Sequence, residues 1–482
     1  MRCTTRFALT ATGFLTNFDR NDDTKNIRRP SISVSLETSE VPLSTTEGPR
    51  PAGNDGLPLL GETLTFAKNP FGFIEERLGR HGRIFRSHVL GRKTAVVAGP
   101  EAAGKFIDEE IVIREGAMPP HVQELFGGRS LPSLDGEIHS VRKKLVNQAF
   151  NRAAITAYLP IVQETVERSV HAWVAAGEQR LLDELKRLAI EMICVTVMGM
   201  PPGNEMDRLR DDYGTLTNGF ASLPINVPGT RYRKALQARD RILDLLRRLV
   251  RERRQTPTDD GLSRMLGAAD ASNAALSEFD AALELHHIVI AGFIVFAELG
   301  SIMQQLTGHP DVRAKLAAEI ETVAPQGPLS LETLMRMPYL LQVVNEVKRI
   351  TPIVPAVFGK TKKPLEFDGV SVPAGWMVMW AVTPSHVAHS SYTNPTAFDP
   401  DRFSPERAED KRHEHAFAPQ GAGPATGHRC PGLDFSTYIM EIFAVVLLRG
   451  YTWSIPPQNF EMDYSKTPPE PKDGLRATVT AT

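Results

Sequence analysis

Cysteine is scarce in this 482-residue chain: Cys3, Cys194 and Cys430 are the whole complement. Three widely spaced thiols argue against a disulfide framework and leave no CxxC pair for a structural metal site, so each must be judged alone. An excess of either charge is lacking too, since 55 Lys and Arg face 57 Asp and Glu for a net charge of −2. That balance does not advertise the basic face that nucleic acid requires. Long hydrophobic runs are also missing. The longest, Ile288 to Ala297, has ten residues, well short of the ~18 to 20 that a membrane-spanning helix needs, so no membrane span is expected.

A chain of this length holds roughly three average domains or one large one, and either buries a core without covalent staples. The N-terminus stands apart from it. Arg2, Arg6 and several Ser and Thr precede the first acid, Asp19, a composition compatible with an organelle transit peptide or with a plain disordered extension. Residues 31 to 56 carry few large apolar groups and cannot offset the entropy of ordering. The expected organisation is an extension over 1–55 and one domain over 56–482. The expected location is cytoplasmic, or an organelle if the extension is a targeting segment.

Along that domain the helical period dominates. A helix at FGFIEERLGRHG is followed by RIFRSHVL and KTAVVAG, which alternate and read as a hairpin. Apolar residues then recur at three- and four-residue spacing over 137–150, 153–176, 180–199, 205–222 and 231–255, and again over 277–307, 310–323 and 331–350, as helices require. Strand signals return only at LEFDGVSVPAGWMVMWAV, residues 365–382, where Asp368-Gly369 marks a tight hairpin. A last helix over 432–449 precedes two short extended segments. The pattern is mainly α with a minor β portion, an α+β class. The segment 231–254 carries ten Lys and Arg against three acids; it reads as the solvated face of an amphipathic helix or as a patch for an anionic surface or acidic partner.

Chemistry concentrates in FAPQGAGPATGHRCPGLDFSTYIMEIFAVVLL, residues 417–448. Its glycines and prolines form a loop that delivers Cys430 to the start of an apolar-faced helix. Free amides and the positive end of a helix dipole are expected there to lower the thiol pKa and stabilise the thiolate, the form that binds metal. The competing readings are a buried cysteine acting as a small hydrophobe and a zinc site with His413, His415 and His428, against which the lack of paired ligand spacing argues. Upstream, Glu346 and Arg349 form an E-x-x-R pair on one face of a helix, and FDPDRF at 398–403 offers Arg402.

These three elements in this order resemble the cytochrome P450 family of heme-thiolate enzymes. PLLG at 58–61, DGEIHSVRKKL at 135–145 and HPDVRAKLAAEI at 309–320 extend the resemblance over residues 56 to 478. It implies a P450 fold with heme b held between a long distal helix and the cysteine loop. It further implies Cys430 as the iron ligand and Glu346, Arg349 and Arg402 as the family's structural triad. His428, His139, Arg142 and Lys143 are the implied heme-propionate partners, with Lys360 a weaker one, while Cys3 and Cys194 are incidental.

Two departures shape the expected function. Phe417 lies thirteen positions before Cys430, so the loop carries about six residues more than most family members; PQGAGPATGHRCPG looks closest to fatty-acid peroxygenases. On the distal helix the family's A/G-G-x-D/E-T appears as Ala291-Gly292-Phe293-Ile294-Val295. Ile294 and Val295 stand where an acid and a hydroxyl normally relay the protons consumed in activating O₂, and neither has a proton to give. The peroxygenases' Arg-Pro pair is also absent, the matching positions being Ile290-Ala291, and His286 and His287 read as structural. LPINVPGTRYRKALQAR at 223–239 resembles the pocket roof of members acting on terpenoids, sterols and retinoids. The expectation is an oxidoreductase acting on a hydrophobic small molecule, terpenoid, sterol-like or fatty-acyl. It would be served by a ferredoxin or flavoprotein reductase or by peroxide. Hydroperoxide rearrangement and a non-catalytic heme-bearing binding protein are the alternatives.

Overall fold

The computed structural model describes residues 48–482 except 59, 221, 272–275, 352, 465 and 467. Residues 1–47 of the expected extension, with Cys3, lie outside the described residues. Ordered pairing begins ahead of the expected Gly56: the Ser371 amide donates to the Pro49 carbonyl and the Arg86 amide to Ala52, at 2.9 and 2.8 Å.

One mixed sheet and a large helical body share the domain. The sheet runs, in spatial order, Ile84–Val89, Arg92–Ala98, Met377–Ala381, Ala356–Thr361 and Val112–Ile113. The expected hairpin pairs Ile84 with Val97 and Val89 with Arg92. Only the Arg92–Ala98 and Met377–Ala381 neighbours are parallel, and Met377–Ala381, central in the sheet, is buried at every residue, as expected for a strand covered on both faces. Asp368 and Gly369 both take positive φ, 51° and 74°, in the turn joining Leu365–Phe367 to Val370–Val372. That is the geometry a two-residue hairpin favours.

The strand at Ala356–Thr361 corrects the reading that strands return only at 365. Gly359 in its middle hides it, and packing explains the glycine. A Cβ there would lie 2.4 Å from Val112 Cγ1 and 3.0 Å from Arg114 Nη1. Other boundaries shift for local reasons. The expected 331–350 helix is two, Leu331–Met335 and Pro338–Ile350, because Pro338 cannot continue a helix but suits the first turn of a new one.

The helical core gathers Arg152–Ala176, Leu181–Val197, Glu278–Phe293, Phe296–Gly308 and Leu433–Gly450 around residues such as Val162, Leu185, Leu285 and Ile442, all fully buried. The expected single helix over 277–307 is interrupted at Ile294 and Val295. Gly292, just before the break, is required by close approach: a Cβ there would meet Ile193 Cγ1 at 2.4 Å. The two halves together, residues 278–308, have mean hydropathy 1.8 over the most apolar window, of which 72% is buried inside the protein. The apolarity therefore belongs to a core helix.

The basic segment forms the helix Arg231–Gln255. Arg241 pairs with Asp212, Arg247 and Arg251 with Glu278, and Arg253 with Asp260. Acids of neighbouring helices thus neutralise much of that face, which favours its reading as an intramolecular, solvated surface.

Candidate active site

The foundation of the site is a buried carboxylate shared by two guanidinium groups. Arg349 Nε and Nη2 donate to the two oxygens of Glu346, each at 2.7 Å, and Arg402 Nε donates to Glu346 Oε1 at 3.0 Å; all three side chains are 0% exposed. The pair on the helix is a forked contact because i,i+3 spacing stacks the two residues on one face. The remaining N–H groups hold the chain that leads to the cysteine. Arg349 donates to the carbonyls of His386, Pro395 and Ala397, and Arg402 to those of Thr393 and Ala397. A fourth member, not anticipated from the motif, is Glu409: 1% exposed, it accepts from Arg402 at 2.8 Å and also pairs with Arg407 and Arg412.

Next in the chain of support is His386, fully buried, whose Nε2 accepts the Ala418 N–H at 3.0 Å just beyond Phe417. Burial, reinforced by Arg349, pushes this imidazole down to about 3. A histidine held neutral in the fold takes up its proton on unfolding, so its contribution to stability is present above the ordinary pKa near 6.5 and is lost on acidification. It alone should remove about 2 kcal/mol of stability between pH 7 and pH 5. Denaturant titrations at both pH values check this: His386→Gln should reduce the acid sensitivity, and an unchanged slope would show that another group sets it.

The loop itself closes on a backbone bond from the Cys430 amide to the Gln420 carbonyl, 2.9 Å. The extra residues form a separate excursion, bonded internally from Gly427 N–H to Pro424 C=O, and a Cβ at Gly423 would lie 3.1 Å from Ile107 Cδ1. Cys430 is partly exposed and precedes the helix Leu433–Gly450. The expectation of a lowered thiol pKa is corrected. Burial pushes the thiol up; the Gly432 amide, Lys143 and Lys348 pull it down, Glu298 adds to the rise, and the net direction is upward. The amide acts as expected, but desolvation exceeds it.

Beside the loop lies a dense polar cluster. The rings of His139 and His428 stack with centroids 4.1 Å apart. Each has a buried Nε2 without a hydrogen-bond partner, and so does Arg114 Nη1. His428 Nε2 is 3.5 Å from Asp135, an ion-pair distance with no hydrogen bond formed. Burial acts to raise the Asp135 carboxyl, but His428 and the amides of Arg114 and Glu115 outweigh it and hold it at about 2. Burial pushes His139 to about 4, with the His428 and Lys143 charges adding to the effect, and Arg114 to about 10. Unpartnered buried nitrogens on three chain segments, with the Arg114 charge acting on His139, are groups that the carboxylates of a heme would satisfy, since buried polar groups demand partners. Glu109, His139 and His428 also bring ligand atoms within 4.8 Å of one another, a set Cys430 does not join, so the four-residue zinc reading finds no support.

The polar cluster sorts the sequence-derived residues. His139 and His428 are brought together, and Lys143 sits with them, 2% exposed, donating to the Arg429 carbonyl next to Cys430. Burial lowers Lys143 to about 8 while Cys430 opposes the shift. Arg142 is not in the cluster: it pairs with Asp280 and Glu284 at 3.0 Å each, because adjacent helical positions point about 100° apart. Lys360 borders an open groove of about 440 Å³ with Arg92, Lys93 and Trp376. Arg114 was missed, and no motif could have named it; the glycine at 359 that makes room for it was the one trace in the sequence.

On the distal side the interruption falls at the positions where the family keeps its acid and hydroxyl. The Val295 amide bonds back three residues to Gly292 at 3.3 Å, and Ala297 to Ile294 at 3.2 Å. Val295 is buried and Ile294 partly so. His286 is structural, its Nε2 bonding the Leu125 carbonyl and its Nδ1 the Tyr213 hydroxyl. His287 lies 3.7 Å from Glu284 and has a buried Nδ1 without a partner.

A mainly helical body with a buried Glu-Arg-Arg foundation under a cysteine loop defines a heme-thiolate protein. Residues 51–473 match the family described as Cytochrome P450, and the chain belongs to that family, which carries heme iron. Cytochrome P450 26B1 of Danio rerio is 30% identical over 442 residues, covering 89% of this chain and 86% of that protein. Abscisic acid 8'-hydroxylase 2 of Arabidopsis thaliana is 27% identical, covering 89% of each. Among solved structures, the retinoic acid bound cyanobacterial CYP120A1 superposes with a TM-score of 0.84 at 30% identity, covering 90% of this chain and all of that one. Cytochrome P450SP alpha (CYP152B1) in complex with (R)-ibuprophen does so at 0.75 and 27% identity, over 88% and 98%.

Proposed function

We propose that this cytochrome P450 oxidises a hydrophobic carboxylic acid of isoprenoid or fatty-acyl type and takes its oxygen from peroxide. In this reading Cys430 is the iron ligand, and His139, His428 and Arg114 hold the heme carboxylates. A thiolate ligand directs electron density onto heme iron and favours O–O cleavage. The substrate class is supported by the relatives: the retinoic acid and ibuprofen bound to two of them and the abscisic acid named for a third each join a hydrocarbon-rich body to one carboxylate. The observation that carries the peroxide choice is the apolar Ile294–Val295 pair at the helix interruption, which offers no side-chain proton for O₂ activation.

The competing reading is hydroxylation driven by a ferredoxin or flavoprotein reductase, favoured by the relative named as a hydroxylase. Turnover of retinoic and fatty acids with hydrogen peroxide alone, set against NADPH with a reductase system, separates the two. Peroxide-driven product should exceed reductase-driven product at least tenfold. Ile294→Asp with Val295→Thr should shift the ratio toward the reductase. Efficient reductase-driven turnover by the unmodified protein would overturn the peroxide assignment, and product formed only from methyl esters would overturn the acid.

A further inference from the structure

The helix Pro338–Ile350 buries a third charged side chain between two members of the triad. Lys348 is 3% exposed. Its Nζ donates to Gln420 Oε1 at 2.9 Å, Ser436 Oγ at 2.9 Å and Thr437 Oγ1 at 2.8 Å, with the Leu433 carbonyl at 3.4 Å. An ammonium has three donors, and here the three short bonds employ them all.

The partners lie on both limbs of the cysteine loop. Gln420 is ten residues before Cys430 and is also the residue whose carbonyl accepts the Cys430 amide. Ser436 and Thr437 are in the first turns of the helix after it. Gln420 Nε2 bonds Ser436 Oγ at 3.0 Å, closing the ring of contacts.

What Lys348 lacks is a direct counter-ion. Among the described residues no carboxylate is paired with it. The nearest buried acids are Glu298, on the second half of the distal helix, and Glu441, on the helix after the loop. They are 2% and 3% exposed, and each has one carboxyl oxygen without a hydrogen-bond partner. Burial pushes both acids up, Glu441 to about 8, so near neutral pH Glu441 favours the uncharged form. Burial pulls the Lys348 ammonium down, Glu298 and Cys430 oppose that shift, and the Lys348 charge in turn favours the Cys430 thiolate. A lone cation in a medium of low polarisability acts over a longer range than one in water.

We propose that Lys348 is a positioning residue for the proximal ligand: it fastens the two limbs of the Cys430 loop together, and its unpaired positive charge draws electron density from the thiolate and raises the reduction potential of the iron. This rests on the assignment of Cys430 as that ligand. Lys348 touches neither substrate nor reacting atoms, so its effect is read on the metal centre itself.

The test uses heme-loaded wild-type protein with Lys348→Arg, Lys348→Gln and Lys348→Met. Two quantities are measured: the ferric/ferrous midpoint potential, and the share of the reduced CO complex absorbing in the thiolate-type band. Arginine should match wild type in both. Glutamine, which keeps hydrogen bonds but not the charge, should retain the thiolate-type band and move the potential to a more negative value. Methionine should do the latter and also raise the non-thiolate share several-fold. Wild-type potentials in both the glutamine and methionine variants would overturn the proposal, and if the methionine variant fails to load heme the glutamine variant alone decides. Wild-type protein without a thiolate-type CO band would instead bring down the Cys430 assignment, and this proposal with it.

Discussion

Replacing Cys430 by alanine is expected to abolish the thiolate-type absorption of the reduced CO complex completely, while Cys194→Ala leaves it intact. The two described cysteines differ in setting. Cys194 is 0% exposed within the helix Leu181–Val197, packed in the main core, and burial together with Glu191 drives its thiol well above the ordinary range. Such a sulfur behaves as a small hydrophobe. Cys430 lies at the mouth of a helix, its amide fixed to Gln420, with Lys143 and Lys348 both acting to favour its thiolate. With Cys430 as the iron ligand, coordination would supply the remaining stabilisation, since a metal-bound thiol is deprotonated outright. The reduced CO spectrum checks the pair of variants. Persistence of the band in Cys430→Ala, or its loss in Cys194→Ala, would remove the heme-thiolate reading of this site.

The second large effect is expected at the triad. Glu346→Ala should destabilise the protein by about 3 to 5 kcal/mol, because it leaves two guanidinium groups buried without their shared carboxylate. Glu346 accepts from Arg349, Arg402 and the Asp399 amide, so its removal also frees the segment that carries Tyr392, whose hydroxyl bonds Ala416 beside Phe417. Heme retention should fall with stability. Arg80→Ala is the control, since Arg80 and Glu76 form an exposed i,i+4 pair of the kind worth under ~1 kcal/mol. Chemical denaturation of the three proteins, with heme release followed in parallel, measures the difference. A Glu346→Ala variant within about 1 kcal/mol of wild type would mean that the triad does not hold the loop.

Much of this site was legible because its parts are local. Phe417 to Cys430 is one continuous segment, Glu346 and Arg349 share one helical face, and each carries its geometry in its spacing. What needed the structure was convergence. Arg114 acts on His139 from a segment with no motif, and Glu409 joins the triad from a turn whose sequence, AEDK, says nothing of burial. Arg142 and Lys143 are neighbours of like charge, yet one faces the distal helix and the other the cysteine loop, a distinction that depends on the rotation of a single helix. The sign at Cys430 turned on desolvation, which residue types do not reveal. The distal helix break lay beyond sequence reasoning for another cause: Ile294 and Val295 include no Pro, Gly or capping residue to announce it.

That break has a chemical meaning of its own. In an uninterrupted helix the Val295 amide would occupy the Ala291 carbonyl and the Ala297 amide that of Phe293; here they turn to Gly292 and Ile294 instead. Two carbonyl oxygens in the middle of an apolar stretch thereby lose their regular donors, and a water or a substrate hydroxyl would satisfy them. That polarity belongs to the main chain and not to the side chains at 294 and 295.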